Sequence, residues 1–394
     1  MVRVRRIVLV AAAGLALGVV GRMALAKGEP DKGPKNEALI CHRPGVRSEK
    51  TIGVGAKALE GRLRHGDYRG RCLFDAHLHL NPAVRPKGML ARVVNTGVSG
   101  VVLFGRTNDL PAVRRKNPGF VFPFVQLPRD PRTKELLLNE ESVGLLREAL
   151  EAGGVYGIGE LPLRHFPFPF SPPGGDNNPA DGPLALRIYD LAADVRVPVN
   201  VHVEHEFSDE LERALAHNRN AVIIWAHMGD APASLVLEMM RRHPNLYADI
   251  SARNPLYRRR RPAGPQSLTR EDGTLKEEWR EVFEAFPGRF MFGTDVGPRG
   301  RLNIVEEVVA YYRSVLAQLT PSTAEKIANG NIKRLLGLRP RHRRGDATMM
   351  KPSSAAKAPS PGGPRARPWR GPRSRGVFFG GSSGPSSRST RPGR

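Results

Sequence analysis

Cysteine is nearly absent: Cys41 and Cys72 are the only two in 394 residues. That excludes clustered-thiolate zinc sites and iron–sulfur ligation. It leaves one disulfide or two buried thiols; a bridge would close a loop of about 30 residues and contribute roughly 3 kcal/mol. Acidic residues are also deficient, with 38 Asp and Glu against 62 Lys and Arg and a net charge of +24. Such an excess suggests nucleic acid, but its distribution argues against a specific nucleic-acid partner. Residues 341–394 carry +12 and residues 1–26 carry +4, which leaves a mild +8 for everything between. No Gly-rich phosphate loop follows the first apolar strand, which disfavours a doubly wound dinucleotide fold. No apolar run is long enough for a comfortable membrane span.

The apolar run that is present, Ile7–Val20, follows Arg3, Arg5 and Arg6 and precedes Ala24-Leu25-Ala26. Basic, apolar and small-x-small segments in that order predict a signal peptide over 1–26. No membrane span would remain after cleavage, and a periplasmic or secreted chain is expected. Disulfides persist in those compartments. Residues 27–71 are polar and Gly-rich and read as a lead-in, with a helix expected over Thr51–Leu63. Residues 341–394 are dominated by Pro, Gly, Ser and Arg. They bury too little apolar surface to fold, so a disordered tail is expected.

From Cys72 to about residue 340 short apolar runs alternate with longer amphipathic stretches. The expected strands are Leu73–His79, Gly100–Phe104, Val121–Gln126, Val155–Glu160, Val197–Val203, Ala221–Ala226, Leu246–Ile250 and Phe290–Thr294. Helices are expected at Pro86–Thr96, Thr133–Glu151, Leu184–Val195, Asp209–His217, Ala231–His243, Lys276–Phe286 and Asn303–Leu316, with a last one over Pro321–Leu338. Continuous apolar strands separated by helices predict buried parallel strands. The fold class is therefore α/β, a distorted (β/α)8 barrel over 72–340. Two long connections, Pro162–Pro183 and Arg253–Gly273, leave the C-terminal ends of strands, where barrel active sites lie.

Chemistry-bearing residues collect at those same ends. His77 and His79 are two apart on a strand and share a face. Glu160, His202, His227 and Asp295 each follow a later strand. Imidazole and carboxylate together suit a divalent metal with a position open for water. Glu204 shares a strand face with His202 and is expected to orient it or touch substrate. His165 and His205 are loop candidates without a role. Trp225 reads as packing and Asn200 as support for a ligand.

The motifs Asp75-Ala76-His77-Leu78-His79, Gly157-Ile158-Gly159-Glu160, Val199-Asn200-Val201-His202, Ile224-Trp225-Ala226-His227-Met228-Gly229 and Phe292-Gly293-Thr294-Asp295 form one set. In type, order and strand position the set resembles the amidohydrolase superfamily, in particular its amidohydrolase 2 branch. The closing Ile327–Gly337 segment is similar to that family's terminal helix. The resemblance implies that His77, His79 and Asp295 hold one divalent metal. His202 would join that ion or a second one, and His227 would complete the second or act on substrate. Glu160 would bridge two metals, as in one branch; mononuclear branches have no bridge, so one or two ions are expected. Zn is favoured, with Mn or Fe as alternatives. Asp295 would be the general base of an exported hydrolase acting on a small-molecule amide, ester, lactone or phosphoester. The alternative is non-oxidative decarboxylation of an aromatic or unsaturated carboxylate, with Arg106 or Arg129 as anion holders. A third reading is a non-catalytic polyanion-binding protein. A homodimer is expected from the family.

Overall fold

A computed structural model describes residues 37–44, 49–81, 84–167, 171–260, 267–297 and 299–338. The expected signal peptide and basic tail lie outside the described residues, as does Arg261, the last of the arginine run after Tyr257.

The chain opens with β1 (Glu37–His42), β2 (Lys50–Gly55) and β3 (Tyr68–Arg69), joined as a three-stranded antiparallel sheet in the order β2-β1-β3. Between β2 and β3 runs helix α1 (Ala56–Arg64). The lead-in is thus a folded unit, and the helix expected over Thr51–Leu63 is corrected. Its first part, rich in β-branched Thr51, Ile52 and Val54, pairs with β1 instead. Cys41 and Cys72 are joined in a disulfide with Cα atoms 4.6 Å apart. It ties β1 to the residue before the first barrel strand.

The barrel follows: β4 (Leu73–His79), β5 (Val98–Gly105), β6 (Val121–Val125), β7 (Gly157–His165), β9 (Val199–Val203), β10 (Ile223–Trp225), β11 (Leu246–Asp249) and β12 (Phe290–Met291). A two-residue strand, β8 (Asp176–Asn177), pairs with the end of β7 outside this path. Neighbouring barrel strands are parallel, in chain order. Closure runs through backbone bonds rather than a regular ladder. Ala76 N donates to Phe292 O, Asp295 N to His77 O and His79 N to Val296 O. Strand eight therefore ends as a ladder at Met291, short of the expected Thr294, while Phe292–Val296 seals the barrel against β4.

Helices cover the outside: α2 (Pro86–Asn95), α3 (Leu110–Lys116), α4 (Glu140–Glu151), α5 (Pro183–Val195), α6 (Ser208–His217), α7 (Ala233–Arg242), α8 (Glu277–Ala285), α9 (Arg299–Leu302) and α10 (Val305–Leu316). Proline opens α2 and α5, where its missing N–H costs nothing. The expected helix from Thr133 begins only at Glu140. Asn139 caps it by accepting from Ser142 N at 2.9 Å, and residues before it form a turn bridging Arg129 to Leu136. The last expected helix is three short pieces: α11 (Pro321–Glu325), a π-turn at Lys326–Gly330 and α12 (Asn331–Leu335).

Two apolar clusters result. The larger lies between strands and helices. The smaller is rich in phenylalanine, with Phe74, Phe104, Phe122 and Phe124 inside the barrel, together with Ile332 and Leu336 of the closing segment. This inner cluster is the floor on which the polar site rests. Phe104 stands edge-on to the His77 ring, with centroids 4.7 Å apart.

Candidate metal centre

Six side chains meet above that floor. His77 and His79 point the same way from β4, and their Nε2 atoms are 3.1 Å apart. Oδ1 of Asp295 lies 3.7 Å from His77 Nε2 and 3.4 Å from His79 Nε2. Glu160 reaches in from β7 and divides its two oxygens. Oε2 is 3.2 Å from His79 Nε2 and 3.6 Å from His77 Nε2. Oε1 is 2.9 Å from His202 Nδ1 and 3.5 Å from His227 Nε2. Each of the six comes from the C-terminal end of a different strand, apart from the His77–His79 pair.

Local backbone makes this convergence possible. Gly159 has φ +127°, and a Cβ there would lie 2.4 Å from the carbonyl oxygen of Asn200, so only glycine lets β7 approach β9 before Glu160. At Gly293 a Cβ would stand 2.8 Å from that of His77. His227 and Asp295 themselves are left-handed, with φ near 55°. Non-glycine residues in that region cost roughly 1–3 kcal/mol each. Around His227 the cost is offset by Arg253, only 1% exposed, whose guanidinium lies over Trp279. It donates to Ala231 O at 2.9 Å and approaches His227 O at 3.4 Å.

Buried partners behind three of the histidines decide which nitrogen faces inward. His77 Nδ1 lies 3.0 Å from Oδ2 of Asp249 and donates to it. His227 Nδ1 is 2.7 Å from the Ser251 hydroxyl, which in turn donates to Asp249 Oδ1. Asn200 donates to Asp249 at 3.1 Å, so it does support a site residue, but through the carboxylate. His202 Nε2 is 3.2 Å from Glu204, and His165 Nδ1 shares that oxygen at 2.9 Å, its ring stacked on His202 with centroids 3.7 Å apart. With the outer nitrogen protonated in each ring, the inner lone pair is free: Nε2 of His77 and His227, Nδ1 of His202.

The donor set fits a divalent metal. Donors about 2.0–2.2 Å from one ion stand roughly 3.3–3.6 Å apart at tetrahedral angles. The His77, His79 and Asp295 donors are separated by 3.1, 3.4 and 3.7 Å. Electrostatics agree. Burial alone would push the Glu160 and Asp295 carboxyls up. His77 beside the first, and Arg301 beside the second, hold both well below the usual carboxylate range. Burial pushes the Asp249 carboxyl up as well, but His77 and His227 stabilise its anion more strongly and bring it down to about 2. Burial would also disfavour imidazolium at His77 and His202. Asp249 and Glu160 raise the first well above normal, and Glu204 with Glu160 raises the second to about 9. A buried, carboxylate-rich cage that draws protons onto imidazole is satisfied equally by a dication.

The other expected residues lie elsewhere. Arg129 is taken up by a two-pronged pair with Asp176, and Arg106 pairs with Asp109 on the exposed rim. His205 faces Glu206 at the surface, and Trp225 donates to Val203 O inside the core. The residues that sequence reasoning missed are Asp249, Ser251, Arg253 and Arg301. Asp249, closing Leu246-Tyr247-Ala248-Asp249, had the one available signal, a carboxylate at a strand's C-terminal end.

The family model Amidohydro_2, described as Amidohydrolase, matches residues 75–338, from the first motif to the end of the closing segment.

The chain belongs to the amidohydrolase family. Members are metal-dependent enzymes, in keeping with the grouped donors of this amidohydrolase. No curated protein matches it. Solved structures similar to it include an uncharacterized TIM-barrel protein from Bordetella bronchiseptica, 16% identical, covering 67% of this chain and 98% of the other at a TM-score of 0.49. A putative 2-pyrone-4,6-dicarboxylic acid hydrolase from Pseudomonas putida is 15% identical over 68% of this chain and 97% of its own, TM-score 0.47. A 5-carboxyvanillate decarboxylase from Sphingomonas paucimobilis is 11% identical over 68% and 99%, TM-score 0.44.

Proposed function

We infer that this amidohydrolase is an exported, metal-dependent hydrolase of an amide, ester, lactone or phosphoester. The observation that carries the reading is the divided carboxylate of Glu160, one oxygen turned to His77 and His79 and the other to His202 and His227. His77, His79 and Asp295 would hold one ion, His202 and His227 a second, with Glu160 between; Zn suits the donors, as do Mn and Fe. Bound there, such ions supply a Lewis acid and a water of lowered pKa. Asp295 takes the proton of the attacking water and returns it to the leaving group. Arg301 pairs with Asp295 and keeps it ionised until then. His227 Nε2 stands 4.0 Å from Asp295 Oδ2, where it would complete the second ion's donor set or contact the substrate oxygen. Export is supported by the leader-like sequence and by the Cys41–Cys72 disulfide.

A second reading, decarboxylation, draws on Arg301. Its Nε and Nη2 have no acceptor among the described residues, and a substrate carboxylate would supply one.

The test is metal content per chain in protein purified without chelator, alongside turnover of a panel of esters, lactones, amides and phosphoesters. Two ions per chain with metal-dependent hydrolysis is the expected result. One ion, with CO2 released from an aromatic carboxylate and no water incorporated, would replace hydrolysis by decarboxylation. A chain that takes up neither Zn nor Mn would remove both readings.

A further inference from the structure

A cavity of about 420 Å³ opens at the C-terminal ends of β5 and β6, against α4. That volume is within the range of small-molecule sites. Its floor and wall are apolar: Val125, Leu127, Leu146 and the part-exposed Leu145. One lining residue joins it to the metal centre. The Gln126 amide lies 3.5 Å from Nδ1 of His79, so a group in the cavity is one side chain from the reacting atoms.

The polar groups of the lining are neutral or cancelled. Arg106 is paired with Asp109 at 3.1 Å. The positive end of α4 is already served by the Asn139 cap and by Glu140 and Glu141 in its first turn. Among the described residues the side chains of Thr107, Asn108 and Ser142 make no hydrogen bond. Ser142 is only 3% exposed, and it lines the cavity with a hydroxyl that can donate to a bound group.

We propose that this cavity binds the non-reacting end of the substrate, and that this end is an uncharged ring or branched alkyl group bearing a hydroxyl, carbonyl or nitro acceptor. The proposal rests on the reading of the centre as an enzyme site for small molecules and adds the chemistry of its specificity pocket. An anion is disfavoured there because no unpaired cation lines the cavity, while apolar walls reward a ring.

The experiment uses the metal-loaded protein carrying Leu145→Cys. The two native cysteines are buried in a disulfide, so the new thiol is the one that reacts. The rate of its modification by a benzyl thiosulfonate is measured with 4-nitroacetanilide, an uncharged probe, and with 4-acetamidobenzoate, which replaces nitro by carboxylate. Leu63→Cys, on the exposed face of α1, is the control. The expected result is saturable protection of Cys at 145 by the nitro compound, at least fivefold, at least tenfold weaker half-saturation for the carboxylate, and no protection at 63. Equal protection by both probes, or none, overturns the proposal. Hydrolysis is scored separately with the substrate panel. Protection without turnover leaves the cavity and removes the hydrolase; turnover without protection leaves the hydrolase and removes the cavity.

Discussion

His77 is held by Asp249, 172 positions further along the chain, through a 3.0 Å hydrogen bond between two side chains with no solvent exposure. The same carboxylate accepts from the backbone N–H of His227 at 3.2 Å and from Ser251, which contacts the ring. One buried anion on β11 therefore sets the orientation of two inward-facing histidines that come from β4 and from the end of β10.

Asp249→Asn keeps the shape of that contact and removes its charge. Loss of such a partner behind a metal-binding histidine typically weakens metal affinity 10–100-fold. That loss is expected here for Zn, with an unchanged far-ultraviolet circular dichroism spectrum. Competition with a chromogenic chelator measures it, and wild-type affinity in the variant would show that Asp249 only fills space.

Asp295→Asn addresses the proposed base. Turnover is expected to fall roughly 10²–10⁴-fold, the usual contribution of a positioned proton acceptor, while the fold persists. Near-normal kcat in a folded, metal-loaded variant would rule out the assigned role.

The metal-free protein should show a pH dependence that metal abolishes. His202 has a folded pKa of about 9, above the ordinary 6.5, so its contribution to stability is complete below pH 6.5 and is lost as pH rises towards 9. Asp249, lowered to about 2, contributes fully above pH 4 and loses that contribution as pH falls towards 2. The apo-protein Tm is thus expected to decline between about pH 6.5 and 9. With Zn bound the imidazoles are neutral ligands and that decline should vanish. Parallel Tm profiles with and without Zn would contradict the assignment.

Replacing Cys41 and Cys72 by alanine opens a bridge spanning 31 positions. The chain-entropy estimate for that loop is about 3–4 kcal/mol. Urea unfolding of the double variant should show a loss of that size, with metal content unchanged because the bridge lies at the N-terminal end of β4 and the histidines at its C-terminal end. Loss of bound metal alongside stability would mean that the N-terminal sheet also shapes the centre.

Much of the barrel was legible because its strands are buried on both faces, and such strands must be apolar throughout. Val98–Gly105 is buried at every position, and a run of that kind stands out in any sequence. The pair His77–His79 was legible because a two-residue repeat fixes a shared face whatever surrounds it. Thr51–Val54 misled because a short stretch with β-branched residues and a following amphipathic turn fits helix or strand, and only pairing with β1 decides it. The break at Asn139 was hidden because Thr133-Lys134-Glu135 followed by Leu136-Leu137-Leu138 reads as the polar and apolar faces of one helix. Arg301 looked like one more surface arginine among many.

The sequence by itself determined the alternation of strand and helix, and with it the ends of strands at which His77, His79, Glu160, His202, His227 and Asp295 stand. Those are local properties: side-chain type, period and order. Only the tertiary structure decided that Glu160 turns one oxygen to each pair of histidines, that Asp249 serves two rings, and that Arg301 rather than Arg106 or Arg129 pairs with Asp295. Most of these contacts depend on the twist and closure of the whole barrel, which brings His77 and Asp249, 172 positions apart, to 3.0 Å, and even the short-range Arg301–Asp295 pair is set by how the chain folds back, so no local pattern carries that information.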